Sequence, residues 1–179
     1  DVADTLSQLI RTAIIAPTGK TLCVADFSAI EARVIAWLSG EQWRQDVFAN
    51  DGDIYCASAS SMFGVPVVKH GVNGHLRQKG KVAELALGYQ GGINALKAMG
   101  ALDMGLTEEE LPSIVNLWRE ASPRIRDLWY AVENAAVYTV TTGNPMAVEH
   151  GITFRLELDP LYGYRYLPVI SYRCSRYHW

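Results

Sequence analysis

Four side chains recur at four-residue intervals between positions 77 and 89: Arg77, Lys81, Leu85 and Tyr89. Four residues advance a helix by about 400°, so each drifts only about 40° from the last and all four lie on one slowly twisting stripe. At about 1.5 Å per residue the stripe is about 18 Å long. Its order is cation, cation, apolar, aromatic. Charge suited to phosphates stands at one end, an apolar contact follows, and a flat ring suited to a base stands at the other. A nucleoside triphosphate carries the same chemistries in the same order. Taken alone, the pattern also suits a solvated basic helix face whose Leu and Tyr belong to a core.

A second motif lies upstream. The apolar run Leu22-Cys-Val-Ala has strand character and ends at Asp26, where a helix is expected to begin at once. Ser28 stands where an N-cap belongs and Glu31 follows three residues on, the pattern of a capping box. Ile30, Val34, Trp37 and Leu38 then recur with helical spacing. A carboxylate at a strand end beside a helix N-terminus is a natural metal position, and it is equally a turn Asp that caps the helix.

These residues need elements to position them. Residues 12–27 read as two short strands joined at Pro17-Thr-Gly19. The helix after Asp26 runs to Leu38 and breaks at Ser39-Gly40, and a short helix from Gln42 follows. Asp51-Gly52 turns the chain into a helix from about Ile54 to Phe63, ended by Gly64 and Pro66. A loop of Gly71, Asn73 and Gly74 leads into the helix that carries the stripe, which Gly91-Gly92 stops. Thr107-Glu-Glu-Glu110 is a second capping box, expected to open a helix to about Glu120. Ser122-Pro123 opens a long helix whose Ile125, Leu128, Trp129, Val132 and Ala136 are expected in the core, ending near Gly143-Asn-Pro145. From Ile152 the alternation of Thr153-Phe-Arg-Leu-Glu-Leu is that of a strand. The expected class is α+β and mostly helical.

The chain has 179 residues and a net charge of −3, which argues against a globally basic nucleic-acid binder. The charge is uneven, however. Residues 69–83 hold Lys69, His70, His75, Arg77, Lys79 and Lys81 and no acid, so a local basic patch for triphosphate or DNA backbone is expected. Cys23, Cys56 and Cys174 are odd in number and scattered, which fits neither a disulfide framework nor a zinc site and suits a reducing cytosol. No apolar run is long enough for a membrane span, and the start is not a signal peptide.

Asp26-Phe27-Ser28-Ala29-Ile30-Glu31-Ala32-Arg33 resembles motif A of the family A DNA polymerases, the bacterial DNA polymerase I and phage replicative type. Residues 77–89 resemble motif B, that family's nucleotide-binding helix. Ile10-Arg11-Thr-Ala-Ile-Ile-Ala-Pro17-Thr-Gly19 is similar to the family's lead-in to motif A. Asp53-Ile54-Tyr55 and Met62-Phe63-Gly64-Val65-Pro66 are similar to the segment between the motifs. The likeness covers roughly residues 5–145. Tyr55 stands where the family usually has His, and Leu85 where it usually has Phe or Tyr. Gln90 and then Gly91-Gly92 follow Tyr89, where the family has Gly directly. Motif C, the His-Asp-Glu turn that supplies the second metal-binding Asp, has no counterpart. Beyond Leu167 the composition departs from the family, and a truncated or frame-disrupted end is expected. The chain is read as part of a longer protein.

The resemblance implies a fold and a chemistry. The fold would be the fingers subdomain with part of the palm: residues 1–40 as partial palm, 41–145 as helical fingers, and 146–179 as partial palm strands with a disrupted end. The function would be DNA-templated DNA synthesis, with nucleotidyl transfer from deoxynucleoside triphosphates to a primer 3′ end by two-metal catalysis. By resemblance, Asp26 bridges two Mg²⁺ ions and the Phe27 carbonyl is a further ligand. Arg77 holds the outer phosphates, and Lys81 holds the phosphate under attack and acts in catalysis. Tyr55 lies at the nucleotide, Leu85 packs on its base or sugar, and Tyr89 guards the template-base position. Glu31, held by Tyr89, closes the space of a ribose 2′-hydroxyl. Arg11 and Tyr89 contact DNA. Partners would be primer-template DNA and deoxynucleoside triphosphates but no membrane, for a monomer in the cytoplasm of a bacterium or phage-infected host cell. The chain alone would be inactive without the second Asp. The alternative is a non-catalytic nucleotide- or DNA-binding remnant of the same fold.

Overall fold

Apolar residues at helical spacing dictate most of this architecture. The computed structural model describes residues 2–158 and 166–172, and among these it has eight α-helices followed by a small sheet. The helices are α1 (Val2–Leu9), α2 (Ile30–Ser39), α3 (Gln42–Ala49), α4 (Ile54–Phe63), α5 (Leu76–Leu87), α6 (Ile93–Ala98), α7 (Leu111–Ala121) and α8 (Pro123–Thr142). The strands are β1 (Met146–Ala147), β2 (Ile152–Leu158) and β3 (Tyr166–Tyr172), antiparallel in the order β1-β2-β3. The α+β, mostly helical class holds.

In α7, Leu111, Ile114, Val115 and Trp118 are buried at the spacing of one helix face. They close on Val82, Ala83, Ala86 and Leu87 of α5 and on Ile125 and Trp129 of α8, forming the larger core. Trp118 and Trp129 stack there with centroids 5.9 Å apart and planes 10° apart. Leu128 and Ala135 of α8 face the sheet instead, against Ile152 and Phe154, with Val132 and Ala136 packed alongside. The expected core positions of α8 are thus core positions. A third cluster of Cys56, Ala59 and Val67 lies under the loop between α4 and α5.

Helix α5 lies tightly against α4 at Gly80. A Cβ there would sit 2.2 Å from the Tyr55 carbonyl oxygen and 3.0 Å from the Ala59 Cβ. Glycine inside a helix costs about 1 kcal/mol relative to alanine, and here it allows the close approach that holds the two helices together.

Across the larger core runs one buried polar network. Arg44 of α3 is fully buried, and its guanidinium donates to Glu84 Oε2 of α5 at 2.6 Å and to Ser122 Oγ at 2.8 Å. Trp118 Nε1 donates to the other Glu84 oxygen at 2.8 Å. The guanidinium lies between two indoles, 4.6 Å from the Trp43 ring centroid and 4.9 Å from that of Trp118.

Several local expectations fail. Residues 14–27 form no strand, and the chain before them is α1 and a 3-10 turn, Ile10–Ala13. Among the described residues nothing pairs with this extended stretch, and its Ile15 and Val24 are exposed. The capping box at Ser28 does not form. Helix α2 starts at Ile30 behind Ala29 in the left-handed region (φ 49°), and the Ser28 carbonyl accepts from Arg33 Nε at 2.9 Å. Ser122 precedes α8 as expected, but its hydroxyl serves Arg44, and Glu41 takes the capping role by accepting from the Arg124 N–H at 2.9 Å. At Thr107 the reciprocal half of the box exists, since Glu110 Oε2 accepts from the Thr107 N–H at 2.9 Å. Yet it closes a turn, and α7 begins at Leu111, because Pro112 lacks an N–H and suits only a first helical turn. Helix α5 ends at Leu87, so Tyr89 lies in the following turn, where Gln90 has φ 62°. Strand β3 pairs with β2 along its length. Residues 173–179, with Cys174, are outside the described residues.

The Arg44–Glu84 pair gives the first prediction. Removing one partner of a buried pair costs about 3–5 kcal/mol. Arg44→Met should therefore lower stability by about that amount in urea unfolding. Arg44→Met with Glu84→Gln keeps an acceptor for Trp118 and should recover more than half. A single-variant loss below about 1 kcal/mol would show that water reaches the pair.

Candidate functional site

The N-terminal ends of α4 and α5 are tied by one carboxylate. Asp53 caps α4, its Oδ1 accepting from the Tyr55 N–H at 3.0 Å and the Cys56 N–H at 3.3 Å. Its Oδ2 accepts from Arg77 Nε of α5 at 2.7 Å. The Arg77 guanidinium also lies 5.2 Å from the Tyr55 ring centroid. Burial pushes the Asp53 carboxyl up, but the Arg77 hydrogen bond, the capping N–H groups and the Arg77 charge outweigh it and hold the group below its ordinary value. Burial pushes the Tyr55 phenol above its ordinary value, and the Glu84 carboxylate adds to this.

Arg77 and Tyr55 open onto a cavity of about 280 Å³. Ser28 and Ala29 from the start of α2, Phe48, Asp51, Asp53 and Lys69 complete its walls. Arg33 holds this wall in place, its guanidinium 4.3 Å from the Phe48 ring centroid while its Nε donates to the Ser28 carbonyl. The structure thus brings Arg77 and Tyr55 to the segment that follows Asp26 and Phe27.

The other expected residues spread along α5 and α2. Lys81 is one turn beyond Arg77, half-buried, with no ion pair among the described residues. Leu85 is partly exposed and Tyr89 is 72% exposed. Tyr89 and Glu31 line one small cavity of about 20 Å³ with Ile35, Glu84 and Gly88, and no hydrogen bond joins the two. Asp26 and Phe27 are exposed on the extended stretch before α2. Among the described residues no three His, Cys, Asp or Glu side chains cluster to hold a metal ion. Arg11 is in the 3-10 turn, and its side chain is outside the described ones.

The expected basic patch is smaller than its run of cations. Arg77 is paired with Asp53, and Lys79 Nζ is 2.8 Å from Glu110 Oε1. The run holds no acid, but the fold brings acids to it from other elements. Three residues that shape the site escape sequence reasoning: Asp53, Arg44 and Glu84. Asp53 carried a readable sign, an Asp directly before an apolar helix. Glu84 carried a fainter one, the single acid of α5 among residues of an apolar face.

Residues 1–143 match the family model described as DNA polymerase family A. The chain is 57% identical over 157 residues to the DNA polymerase of Bacillus phage SP02, covering 88% of this chain and 24% of that protein. It is 34% identical over 121 residues to the thermostable DNA polymerase I of Thermus thermophilus, covering 68% and 14%. It is 35% identical over 118 residues to DNA polymerase I of Rhizobium leguminosarum, covering 66% and 11%. The chain spans about a quarter or less of the length of these relatives. No helix of the described residues is long and apolar enough to cross a membrane.

The Asp53–Arg77 pair carries a pH signature. The Asp53 carboxyl is held low in the folded chain, so its contribution is complete above the unfolded value of about 4 and fades as pH falls through the lower folded value. Asp53→Asn keeps a capping acceptor and removes the charge. It should be less stable than the parent by about 1 kcal/mol at neutral pH, and the gap should close in acid. Urea unfolding of both chains from pH 7 to pH 2 measures it. A gap that persists undiminished at the acid end would assign the effect to the cap.

Proposed function

We propose that this chain, which belongs to DNA polymerase family A, carries the incoming-nucleotide face of a DNA-directed DNA polymerase. One observation carries the reading. Arg77, Lys81 and Leu85 follow one another along a single helix, and Arg77 stands at a cavity walled by Tyr55 and the residues next to Asp26. The substrate would be a deoxynucleoside triphosphate and the partner a primer-template DNA. Residues 1–40 and 146–179 would belong to the palm and residues 41–145 to the fingers, in a monomeric polymerase of the bacterial or phage-infected cytoplasm.

On this reading Arg77 and Lys81 bind the phosphates by charge-assisted hydrogen bonds, the planar fork of Arg77 taking the outer ones. Lys81, at the phosphate under attack, could hand a proton to the leaving pyrophosphate. Leu85 packs on the base or sugar. Tyr89 guards the template position and contacts DNA together with Arg11. Glu31, which shares a cavity with Tyr89, excludes the ribose 2′-hydroxyl. The carboxylate of Asp26 and the carbonyl of Phe27 are hard oxygen donors, and they suit Mg²⁺, which keeps most of its shell as water and phosphate. When bound, the ion would neutralise charge on the reacting oxygens. The part left to this chain is to align the phosphates beside Asp26.

In a polymerase carrying this segment, Asp26→Ala should abolish primer extension and leave primer-template binding within about twofold. Gel-shift and extension assays on one preparation compare the two. Undiminished extension would make Asp26 an ordinary exposed residue.

Leu85 separates this reading from a core role. It lacks a phenolic oxygen to replace a missing 3′-hydroxyl, so the parent should discriminate against dideoxynucleotides. Leu85→Tyr should relax that discrimination and Leu85→Phe should chiefly change the rate. Competition between deoxy- and dideoxynucleotides tests it, and equal ratios in the parent and Leu85→Tyr would remove Leu85 from the nucleotide.

A further inference from the structure

We propose that Lys69 is a phosphate-binding residue of the same site, an inference that rests on the nucleotide reading above. Lys69 is outside the stripe and eight residues before Arg77 in sequence, yet both line the 280 Å³ cavity. The charges of that wall make the argument. Arg77 is opposed by Asp53 at 2.7 Å, and Asp51 stands on the same wall. Without Lys69 the wall would carry two carboxylates and one cation, and it would repel a phosphate. Lys69 brings it to neutrality, and it has no ion pair among the described residues. Its ammonium is therefore available to a ligand, where Lys79 is held by Glu110.

The loop that carries Lys69 is built rather than slack. Val67 is buried, and its N–H donates to Ser60 Oγ at 2.9 Å. Asn73 Nδ2 donates to the Pro66 carbonyl at 2.9 Å, and the Val68 N–H donates to the Val72 carbonyl at 2.9 Å. Only glycine fits at position 74, where a Cβ would be 2.9 Å from the Val68 oxygen and 3.2 Å from the Lys69 oxygen. The backbone of Lys69 is thus held by its loop, while the residue lines the cavity and is exposed to solvent. A fixed backbone with an unpaired, flexible ammonium suits a point-charge contact to a mobile phosphate chain.

The 179-residue chain, titrated with dATP and separately with inorganic tripolyphosphate at constant ionic strength, tests this. Lys69→Ala should weaken both by on the order of tenfold, the size of one charge-assisted contact. Lys69→Arg should restore most of the affinity, and thermal melting of Lys69→Ala should match the parent. Parent-like affinity in Lys69→Ala, beside a clear loss in Arg77→Ala, would overturn the role of Lys69 and leave the nucleotide reading standing. Parent-like affinity in both variants, or no binding by the parent, would overturn the nucleotide reading and the Lys69 proposal with it. Loss of dATP affinity without loss of tripolyphosphate affinity would also overturn it, since Lys69 would then act on the nucleoside.

Discussion

A guanidinium with no access to water is tolerable only beside its counter-charge, and Arg44 has one, Glu84, at 2.6 Å. Taking two such ions out of water costs several kcal/mol each, and most of the pair's remaining valences are also met. Trp118 fills the second oxygen of Glu84, Ser122 fills a further nitrogen of Arg44, and two indoles flank the cation. Among the described residues Arg44 Nε has no partner. The network joins α3, α5 and the junction of α7 with α8, segments that lie far apart in the chain. It is directional where the apolar core is not. Apolar burial would accept α5 in several rotations about its axis, whereas Glu84 reaches Arg44 in one.

That rotation sets the exposed face. Leu85 follows Glu84 by about 100° around the helix, so turning Glu84 inward turns Leu85 out. Lys81 and Arg77 fall on the same side as Leu85. The Asp53–Arg77 pair is a weaker constraint, because both side chains keep partial contact with water and such pairs contribute about 0–1 kcal/mol. It does not hold α4 to α5, which the Gly80 contact and the core achieve. What it does is aim Arg77. The strong buried pair orients the helix and the weak half-exposed pair orients one side chain on it.

What could be read from the residues follows from the range of each interaction. The 3.6-residue period is local, so α2, α3, α4, α5, α7 and α8 were all legible, as was the core face of α8 with Ile125, Leu128 and Trp129. Capping was less so. Ser28 and Ser122 have the right chemistry for caps, but a hydroxyl takes whichever partner the tertiary structure offers, and Ser122 was offered Arg44. The apolar stretch before Asp26 looked like strands because composition speaks for the residue and not for its neighbour, and a strand needs a neighbour. The acids that neutralise Arg77 and Lys79 come from 24 and 31 residues away, beyond any window of charge counting.

The two ends of the stripe are built on different principles. At the Arg77 end the fold has already placed a carboxylate on the guanidinium, so any anion there would compete with Asp53. Arg has five N–H donors and Asp53 engages Nε, so competition need not mean displacement. At the other end Tyr89 lies past the helix on an exposed turn, yet the backbone on both sides of it is tethered. The Gly88 carbonyl accepts from Trp129 Nε1 at 3.2 Å and the Gly91 carbonyl accepts from the Arg119 guanidinium at 3.1 Å. The ring is therefore exposed while its backbone stays with α7 and α8. The Arg77 end is held by its ion pair with Asp53 instead.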